Sequence, residues 1–199
     1  MHALASALAD GAATAGAEVR LRRVAETAPR PAVEANRRWR EHADTVMPDV
    51  EVAQLADLEW ANGYAFGTPT RFGLPSAQLK AFLDTSGGLW AQGRLADKVG
   101  TSFTAASTPH GGLEATVLAL NNTFYHWGSL VMPLGYGGAH LMDAHLMKES
   151  GNPYGASFTG GSKDLPTEVE LLAARKQGQR LARFAAAVAT ASPAGDSIR

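Results

Sequence analysis

One stretch of the sequence constrains the fold more than any other, because an apolar run leads directly into a short loop and then into a helical pattern. The run covers residues 62–67, and Pro69 and Gly73 lie in the loop that follows. Pro69 cannot donate to a sheet ladder and Gly73 permits a sharp bend, so a strand is expected to end here. Ser76 stands where a helix N-cap would, and apolar residues then recur at helical spacing up to a glycine pair, which predicts a helix over 76–86. Strand-to-helix loops of this kind lie at the carboxyl edge of open α/β sheets, where small molecules bind.

The composition narrows the class of protein. Of 199 residues, 45% are hydrophobic and 19% are charged, which is enough for one buried core. The net charge of −1 gives no basic field for nucleic acid, and the arginines at 20–23 are expected on the polar side of a strand. The absence of cysteine excludes thiol nucleophiles and Cys-containing zinc sites. Without a long apolar run or a leader pattern, we expect a cytoplasmic protein that neither inserts into a membrane nor binds nucleic acid.

Strand and helix patterns alternate along the chain. The remaining predicted strands are 17–24, 98–105 and 129–133, and the remaining predicted helices are 4–12, 33–43, 113–127 and 167–189. This alternation predicts the α/β class, with a doubly wound parallel sheet and helices on both faces. We interpret residues 1–190 as a single domain with a glycine-rich elaboration at about 135–165, followed by a disordered tail at 191–199.

A second candidate binding loop, Ala106–Gly112, follows the strand at 98–105 and opens the helix at 113–127. Two strand-to-helix loops should therefore share one edge of the sheet. Neither a Gly-x-Gly-x-x-Gly nor a Walker-type Gly-Lys-Ser/Thr motif is present, so a nucleotide-phosphate cradle is not visible. No metal site is predicted, because the pattern His140, Asp143 and His145 does not place both histidines on one helix face.

Six short motifs follow one another in the chain. They are Gly67–Gly73, the segment Gln78–Trp90 with its Gly-Gly-Leu-Trp ending, Gly111-Gly112-x-Glu114, His126-x-Gly128, Gly135-Tyr136 and Pro153–Ala156. Together they resemble the WrbA-type NAD(P)H:quinone oxidoreductases over nearly the whole chain, and the combination is specific where any single motif is weak. The resemblance implies a flavodoxin-like, three-layer fold with FMN as the cofactor. It also implies NADH or NADPH as the electron donor, a quinone as the substrate, and a ping-pong cycle through the flavin.

The resemblance also implies which residues form the site. The flavin ring would lie between two loops, Pro69, Thr70, Arg71, Phe72 and Gly73 on one side and Ala106, Ser107, Thr108, Pro109, His110 and Gly111 on the other. His126 would approach it from a neighbouring subunit or a helix end, and Trp90 would line the substrate pocket. No catalytic side chain is implied, because the flavin carries the hydride chemistry. The family resemblance further implies a homo-oligomer, either a dimer or a tetramer.

Each of these side chains also fits an ordinary structural role. Arg71 could pair with a surface carboxylate, Trp90 could belong to the core, and His126 could interact with the carbonyls at a helix end. Residues 107–110 depart from the glycine-rich loop of the family, which leaves the flavin contacts there open.

The amino-terminal end departs furthest from the family pattern. Family members begin with an apolar strand and a phosphate-binding loop, whereas Met1–Leu4 already aligns inside the first helix. The first strand is central in a flavodoxin-like sheet, so its loss would leave two neighbouring strands without partners. We expect the natural chain to extend upstream and supply it. The alternative is a shortened, flavin-free or weakly flavin-binding module that assembles with other subunits or regulates a partner.

Overall fold

A parallel four-stranded sheet forms the centre of the fold. The computed structural model describes residues 1–137, 150–161 and 163–191. The strands are β1 (Gly63–Pro69), β2 (Val99–Ala106), β3 (Leu130–Val131) and β4 (Ser157–Thr159). All of β1 pairs with β2, while β3 pairs with the first residues of β2 and β4 with its last residues, on the other side. The predicted α/β class and parallel sheet are confirmed.

Helices cover both faces of this sheet. They are α1 (His2–Thr14), α2 (Arg30–Glu34), α3 (Arg37–Thr45), α4 (Leu55–Trp60), α5 (Ala77–Asp84), α6 (Gly87–Ala91), α7 (Leu113–Trp127) and α8 (Glu168–Ala191), with a 3-10 turn at Met47–Asp49. The helix predicted at 113–127 has the expected bounds, and that at 167–189 has nearly the expected bounds. Thr167 caps α8, because its N–H donates to Glu170 Oε2 at 2.7 Å while its hydroxyl accepts from the Glu170 N–H. Among the described residues, no helix is both long and apolar enough to cross a membrane.

Side-chain alternation along β1 divides the core into two layers. Tyr64 and Phe66 pack against α4, α5 and α7, whereas Ala65 packs on the side of α1 and α8. The helices α1 and α8 cross so closely that a Cβ at Gly11 would lie 2.0 Å from the Arg175 carbonyl oxygen. Gly11 has a low helix propensity, but its lack of a side chain allows α1 and α8 to come into contact.

The strand predicted at 17–24 is wrong. Only an isolated parallel bridge forms there, between Arg23 and Val52. The arginines of this segment bind within the chain: Arg22 Nε lies 3.2 Å from Asp57 Oδ2, and Arg23 Nε donates to the Met47 carbonyl at 2.8 Å. The segment is apolar enough for a strand, but among the described residues it has no strand partner beyond the bridge at Arg23.

Three other predicted elements differ in their bounds, each for a local reason. The helix at 33–43 is split into α2 and α3, because the Asn36 side chain accepts from the Trp39 N–H at 3.1 Å and starts a new helix. The helix at 76–86 ends at Asp84, and the glycine pair begins α6 after Ser86 Oγ bonds the Leu83 carbonyl. The strand at 129–133 shortens to β3, since Pro133 has no N–H to donate.

The elaboration at 135–165 contributes β4 to the sheet, which the sequence did not predict. His140, Asp143 and His145 lie outside the described residues, as does the predicted tail beyond residue 191. The single domain over 1–190 stays a prediction.

Candidate functional site

Two loops meet at the carboxyl edge of β1 and β2. The strands are parallel and in register through the pair Pro69 and Ala105, so the loops leave the sheet side by side. The Thr70 N–H donates to the Ala105 carbonyl at 2.8 Å. A Cβ built at Gly112 would lie 3.0 Å from the Gly73 Cα and 3.2 Å from the Thr70 hydroxyl oxygen. The backbones of the two loops are therefore in contact and form one surface.

The first loop contains a tight turn that exposes an aromatic ring. Arg71 and Leu74 exchange two backbone hydrogen bonds of 2.8 and 3.0 Å, which close the turn. Its two central residues, Phe72 and Gly73, both have positive φ, of 56° and 80°. Positive φ is uncommon for a residue other than glycine and often marks a functional loop. The Phe72 side chain is completely exposed to solvent, so the turn presents it outward.

Three buried threonines fix the position of this loop. Thr70 Oγ1 accepts from the Gly73 N–H at 3.2 Å and from the hydroxyl of Thr116, in the first turn of α7, at 2.7 Å. Thr68 Oγ1 accepts from the Ser76 N–H at 2.9 Å, and Thr104 Oγ1 donates to the Thr68 carbonyl at 2.7 Å. Sequence reasoning missed Thr68, Thr104 and Thr116, which are buried and orient the loop. A polar residue near the end of each apolar strand, Thr68 in β1 and Thr104 in β2, could have indicated them.

The second loop is held from the opposite side by residues that follow β4. The Gly160 N–H donates to the Ala106 carbonyl at 2.7 Å, and the Gly161 N–H donates to the Ser107 carbonyl at 2.9 Å. A turn then closes where the Gly111 N–H donates to the Thr108 carbonyl at 3.0 Å, with Pro109 and His110 at its tip. The structure thus brings together all the predicted residues of both loops, Pro69–Gly73 and Ala106–Gly111.

Several backbone donors on this surface are free. The N–H groups of Phe72, Ser107, Thr108 and His110 have no hydrogen-bond acceptor among the described residues. Within the described ranges, the Arg71 guanidinium hydrogen-bonds only to the Thr70 carbonyl, at 3.0 Å, and it is exposed. The surface can therefore donate several hydrogen bonds to one ligand that lies across both loops.

Trp90 and His126 lie together, but at the other end of the sheet. Trp90 Nε1 donates to the His126 carbonyl at 2.8 Å. Because α7 starts at the second loop and rises about 1.5 Å per residue, about 20 Å separate Leu113 from His126. Trp90 is 54% exposed, so it is not a core residue. Within one chain, these two residues do not meet the loops.

A carboxylate beside the first loop is fixed by a set of donors that sequence reasoning did not single out. Glu26 accepts from Gln78 Nε2 at 2.7 Å, from the Ala28 N–H at 2.8 Å and from Trp39 Nε1 at 3.0 Å. Burial raises the pKa of Glu26, but these hydrogen bonds outweigh burial and leave the pKa below its usual value. Glu26 is therefore ionised near neutral pH and ties residue 39 to the start of α5.

The amino end of α1 lies at the same edge of the sheet, beside a pair of histidines, His2 of α1 and His42 of α3. The rings of His2 and His42 have centroids 6.2 Å apart. Burial, and then repulsion from His2, lower the pKa of His42. The first backbone N–H groups of a helix have no partner within the helix, so this end of α1 can donate to an anion.

The comparison with known proteins decides the family. A family model described as NADPH-dependent FMN reductase matches residues 1–141. The chain belongs to that family. An NAD(P)H dehydrogenase (quinone) of Deinococcus radiodurans is 43% identical over 164 residues, which are 82% of this chain and 79% of that protein. A protein of the same description from Geotalea uraniireducens is 40% identical over 194 residues, or 95% of this chain and 93% of that protein.

A solved structure supports the same fold. The WrbA-like flavodoxin from Agrobacterium tumefaciens superimposes with a TM-score of 0.59 at 22% identity, and the match covers 94% of this chain and 89% of that one. The family resemblance inferred from sequence motifs is confirmed, as is the flavodoxin-like fold.

Proposed function

We propose that this protein is an FMN-dependent oxidoreductase that reduces quinones by two electrons at the expense of NADH or NADPH. The observation that carries the proposal is the pair of adjoining loops at the carboxyl edge, with free N–H donors on both. Membership of the FMN reductase family and relatives described as NAD(P)H dehydrogenase (quinone) support the cofactor, the donor and the acceptor.

The loop residues suit a flavin ring. Bound FMN would supply the chemistry, by accepting a hydride and passing two electrons to the acceptor. The free N–H groups of Phe72, Ser107, Thr108 and His110 would donate to the polar edge of the ring and stabilise charge on its reduced form. The exposed Phe72 ring would form a flat apolar wall beside it. In this account the protein binds and orients the flavin and contributes no acid or base.

The amino end of α1 suits the phosphate of the same cofactor. Its N–H groups and the His2–His42 pair lie on the edge from which the two loops emerge. A bound dianion would favour the protonated histidine and so raise the pKa of His42 from its lowered value. Riboflavin, which lacks the phosphate, should therefore bind more weakly than FMN and should leave the His42 pKa unchanged.

We propose a cytoplasmic homo-oligomer, a dimer or a tetramer, in which Trp90 and His126 of one subunit approach the flavin of another. Their place about 20 Å from the loops of their own chain supports this role in trans. Exposed apolar side chains lie on the same part of the surface, with Tyr125 at 61% and Leu118 at 46% exposure, seven residues apart on α7. Trp90→Ala should then raise the KM for the quinone without weakening FMN binding.

Steady-state kinetics test the proposed function. With oxygen excluded, protein supplied with FMN should oxidise NADH or NADPH over many turnovers only when a benzoquinone is present to accept the electrons, with parallel double-reciprocal lines for the two substrates. Arg71→Ala should weaken FMN binding or lower kcat/KM at least about tenfold, a loss of about 1.4 kcal/mol, whereas the exposed Arg37→Ala should not. A colourless protein that takes up no added FMN would contradict the proposal and favour a flavin-free interaction module.

A further inference from the structure

A glutamine of α8 lies in the core of the protein. Gln177 is 0% exposed, and buried apolar residues of the same helix, Ala173, Ala174 and Leu181, lie one turn before and after it. A carboxamide is costly to bury unless protein groups take up its hydrogen bonds. The hydrogen-bond partners of Gln177 therefore show what a polar side chain does at this position.

The Gln177 side chain lies between β2 and the residue that precedes β4. Its Nε2 donates to the Ser102 carbonyl at 2.9 Å and to Thr101 Oγ1 at 2.6 Å, and its Oε1 accepts from the Ala156 N–H at 2.7 Å. These partners fix the orientation of the amide, because a carbonyl can only accept and a backbone N–H can only donate. The carboxamide thus stands where the peptide group of a neighbouring strand would stand.

This bridge fills a gap in the pairing along one edge of β2. Towards the amino end of that edge, the Gly100 carbonyl accepts from the Met132 N–H at 2.8 Å, just after β3. Towards the carboxyl end, the Thr104 N–H donates to the Ala156 carbonyl at 3.1 Å, just before β4. Every second residue of a strand in a parallel ladder points to the same edge, so Ser102 belongs to this series. The α8 carboxamide therefore supplies the donor at the position between β3 and β4.

The bridge lies close to the residues that hold the second loop. A Cβ at Gly155 would lie 2.0 Å from the Ser102 carbonyl oxygen, so the chain meets β2 directly before Ala156. After the three residues of β4, the N–H groups of Gly160 and Gly161 donate to the second loop at 2.7 and 2.9 Å. Because β4 is so short, the place of these two donors depends on where Ala156 is fixed.

A second buried polar residue of α8 holds the same segment near its ends. Glu170 lies about two helical turns before Gln177 and is 1% exposed. Its Oε1 accepts from the Ser150 hydroxyl at 2.6 Å and lies 3.5 Å from Lys163 Nζ. The segment that contains β4 is thus held in its middle by Gln177 and near both ends by Glu170.

We propose that Gln177 is a positioning residue for the second loop of the candidate site. Its carboxamide joins the start of β4 to β2, and β4 in turn carries the N–H groups of Gly160 and Gly161 to the carbonyls of that loop. The consequence for flavin rests on the proposed function, in which the free N–H groups of Ser107 and Thr108 face the ring. A side chain of α8 that touches no ligand would then set the place of the donors that do.

Amide hydrogen exchange without flavin tests the bridge. Gln177→Met keeps an unbranched side chain but removes both the donor and the acceptor. The control is Ser102→Ala, which removes a buried hydroxyl bonded to Asn121 of α7 at 3.0 Å and keeps the carbonyl that Gln177 binds. We expect Gly160 and Gly161 to exchange at least about tenfold faster in Gln177→Met than in Ser102→Ala.

The Val99 amide provides the internal reference, because its 3.1 Å bond to the Asn62 carbonyl lies at the far end of β2. If Gly160 and Gly161 exchange equally fast in the two variants relative to Val99, the proposal is overturned. This comparison decides the bridge even in a protein that binds no flavin, whereas a failure of the unmodified protein to bind FMN counts against the proposed function.

Two neighbouring glycines test the same path without a change in the core. A Cβ at Gly161 would lie 2.6 Å from the Ser107 carbonyl oxygen, whereas one at Gly160 would lie 3.4 Å from the Phe158 ring, an ordinary contact. Gly161 is exposed, so its replacement should leave the core intact. The Kd for FMN should rise at least about tenfold more in Gly161→Ala than in Gly160→Ala, and at least about tenfold more in Gln177→Met than in Ser102→Ala.

The midpoint potential of bound flavin separates positioning from a general loss of stability. Donors on the second loop would stabilise the reduced ring, so the potential should become more negative in Gln177→Met and Gly161→Ala. It should stay at the value of the unmodified protein in Ser102→Ala, even if that variant is equally destabilised. The same FMN affinity and the same potential in Gln177→Met and Ser102→Ala would overturn the positioning role.

Discussion

Replacement of Gly112 by alanine is the sharpest perturbation of the two-loop surface. Gly112 has φ of +98°, and its position for a Cβ lies 3.0 Å from the Gly73 Cα, 3.2 Å from the Thr70 hydroxyl and 3.4 Å from the Gly73 nitrogen. Two of these three contacts are with backbone, which cannot rotate away as a flexible side chain does. The substitution should therefore push the Phe72–Gly73 turn away from the second loop.

The expected cost has two parts. A left-handed conformation costs a residue with a Cβ about 1–2 kcal/mol. Forcing an additional methyl group into a packed contact costs about 1–3 kcal/mol more. Gly16 separates the two parts, because it has φ of +88° and open space around its Cβ position. Gly16→Ala should lower the free energy of unfolding by about 1–2 kcal/mol, and Gly112→Ala by about 2–5 kcal/mol.

Denaturant unfolding measures both costs, and a fluorescence titration with FMN measures the consequence for the site. Gly112→Ala should raise the Kd for FMN at least about tenfold, equivalent to about 1.4 kcal/mol, while Gly16→Ala should leave it unchanged. Equal losses of stability in the two variants, with unchanged FMN affinity in both, would refute the argument that contact between the loops shapes the site.

Three other substitutions address the site and the core. Thr70→Val should lower the free energy of unfolding by about 1–3 kcal/mol, because it leaves the buried Thr116 hydroxyl without its 2.7 Å partner. Thr70→Ser keeps a hydroxyl at this position and should retain the wild-type stability. Equal stability of the valine and serine variants would count against this role of Thr70. Phe72→Ala should weaken FMN binding without changing the melting temperature, since the ring is fully exposed; a lower melting temperature in the absence of flavin would be inconsistent with that exposure. Burial lowers the pKa of Lys98 from 10.5 to about 8. Between pH 8 and 10.5 the Lys98 amine is therefore protonated in the unfolded chain and neutral in the folded chain. The free energy of unfolding should rise with pH across that interval and should not do so in Lys98→Met; the same slope in both proteins would exclude Lys98 as the cause.

The sequence predicted elements well where local pattern and tertiary pairing agree. The helices α7 and α8 have long apolar stripes and their own end signals, so their limits follow from periodicity and capping. The segment 17–24 has the composition of a strand, yet a strand also needs a partner. The local sequence of a segment does not show whether another strand will lie beside it. The strand predicted at 129–133 is reduced to the two residues of β3, and the late strand β4 was missed, for the same reason, since each depends on β2 for its hydrogen bonds.

The candidate site was predictable to a similar extent. Glycine and proline placed the two loops at one edge, because their backbone preferences are local. The hydroxyl contacts of Thr70 with Thr116 join residues 46 positions apart, which no local pattern encodes. The separation of Trp90 and His126 from the loops follows from the length and direction of α7, which become evident only once the sheet order is known.

The position of the flavin is the central claim, and amide chemical-shift perturbation on adding FMN tests it most directly. We expect shifts at Thr70–Gly73 and at Ser107, Thr108, His110 and Gly111, with the largest at the free N–H groups of Phe72, Ser107, Thr108 and His110. Saturable shifts confined to the amino edge of the sheet, around Trp90 and His126, with both loops unaffected, would contradict it.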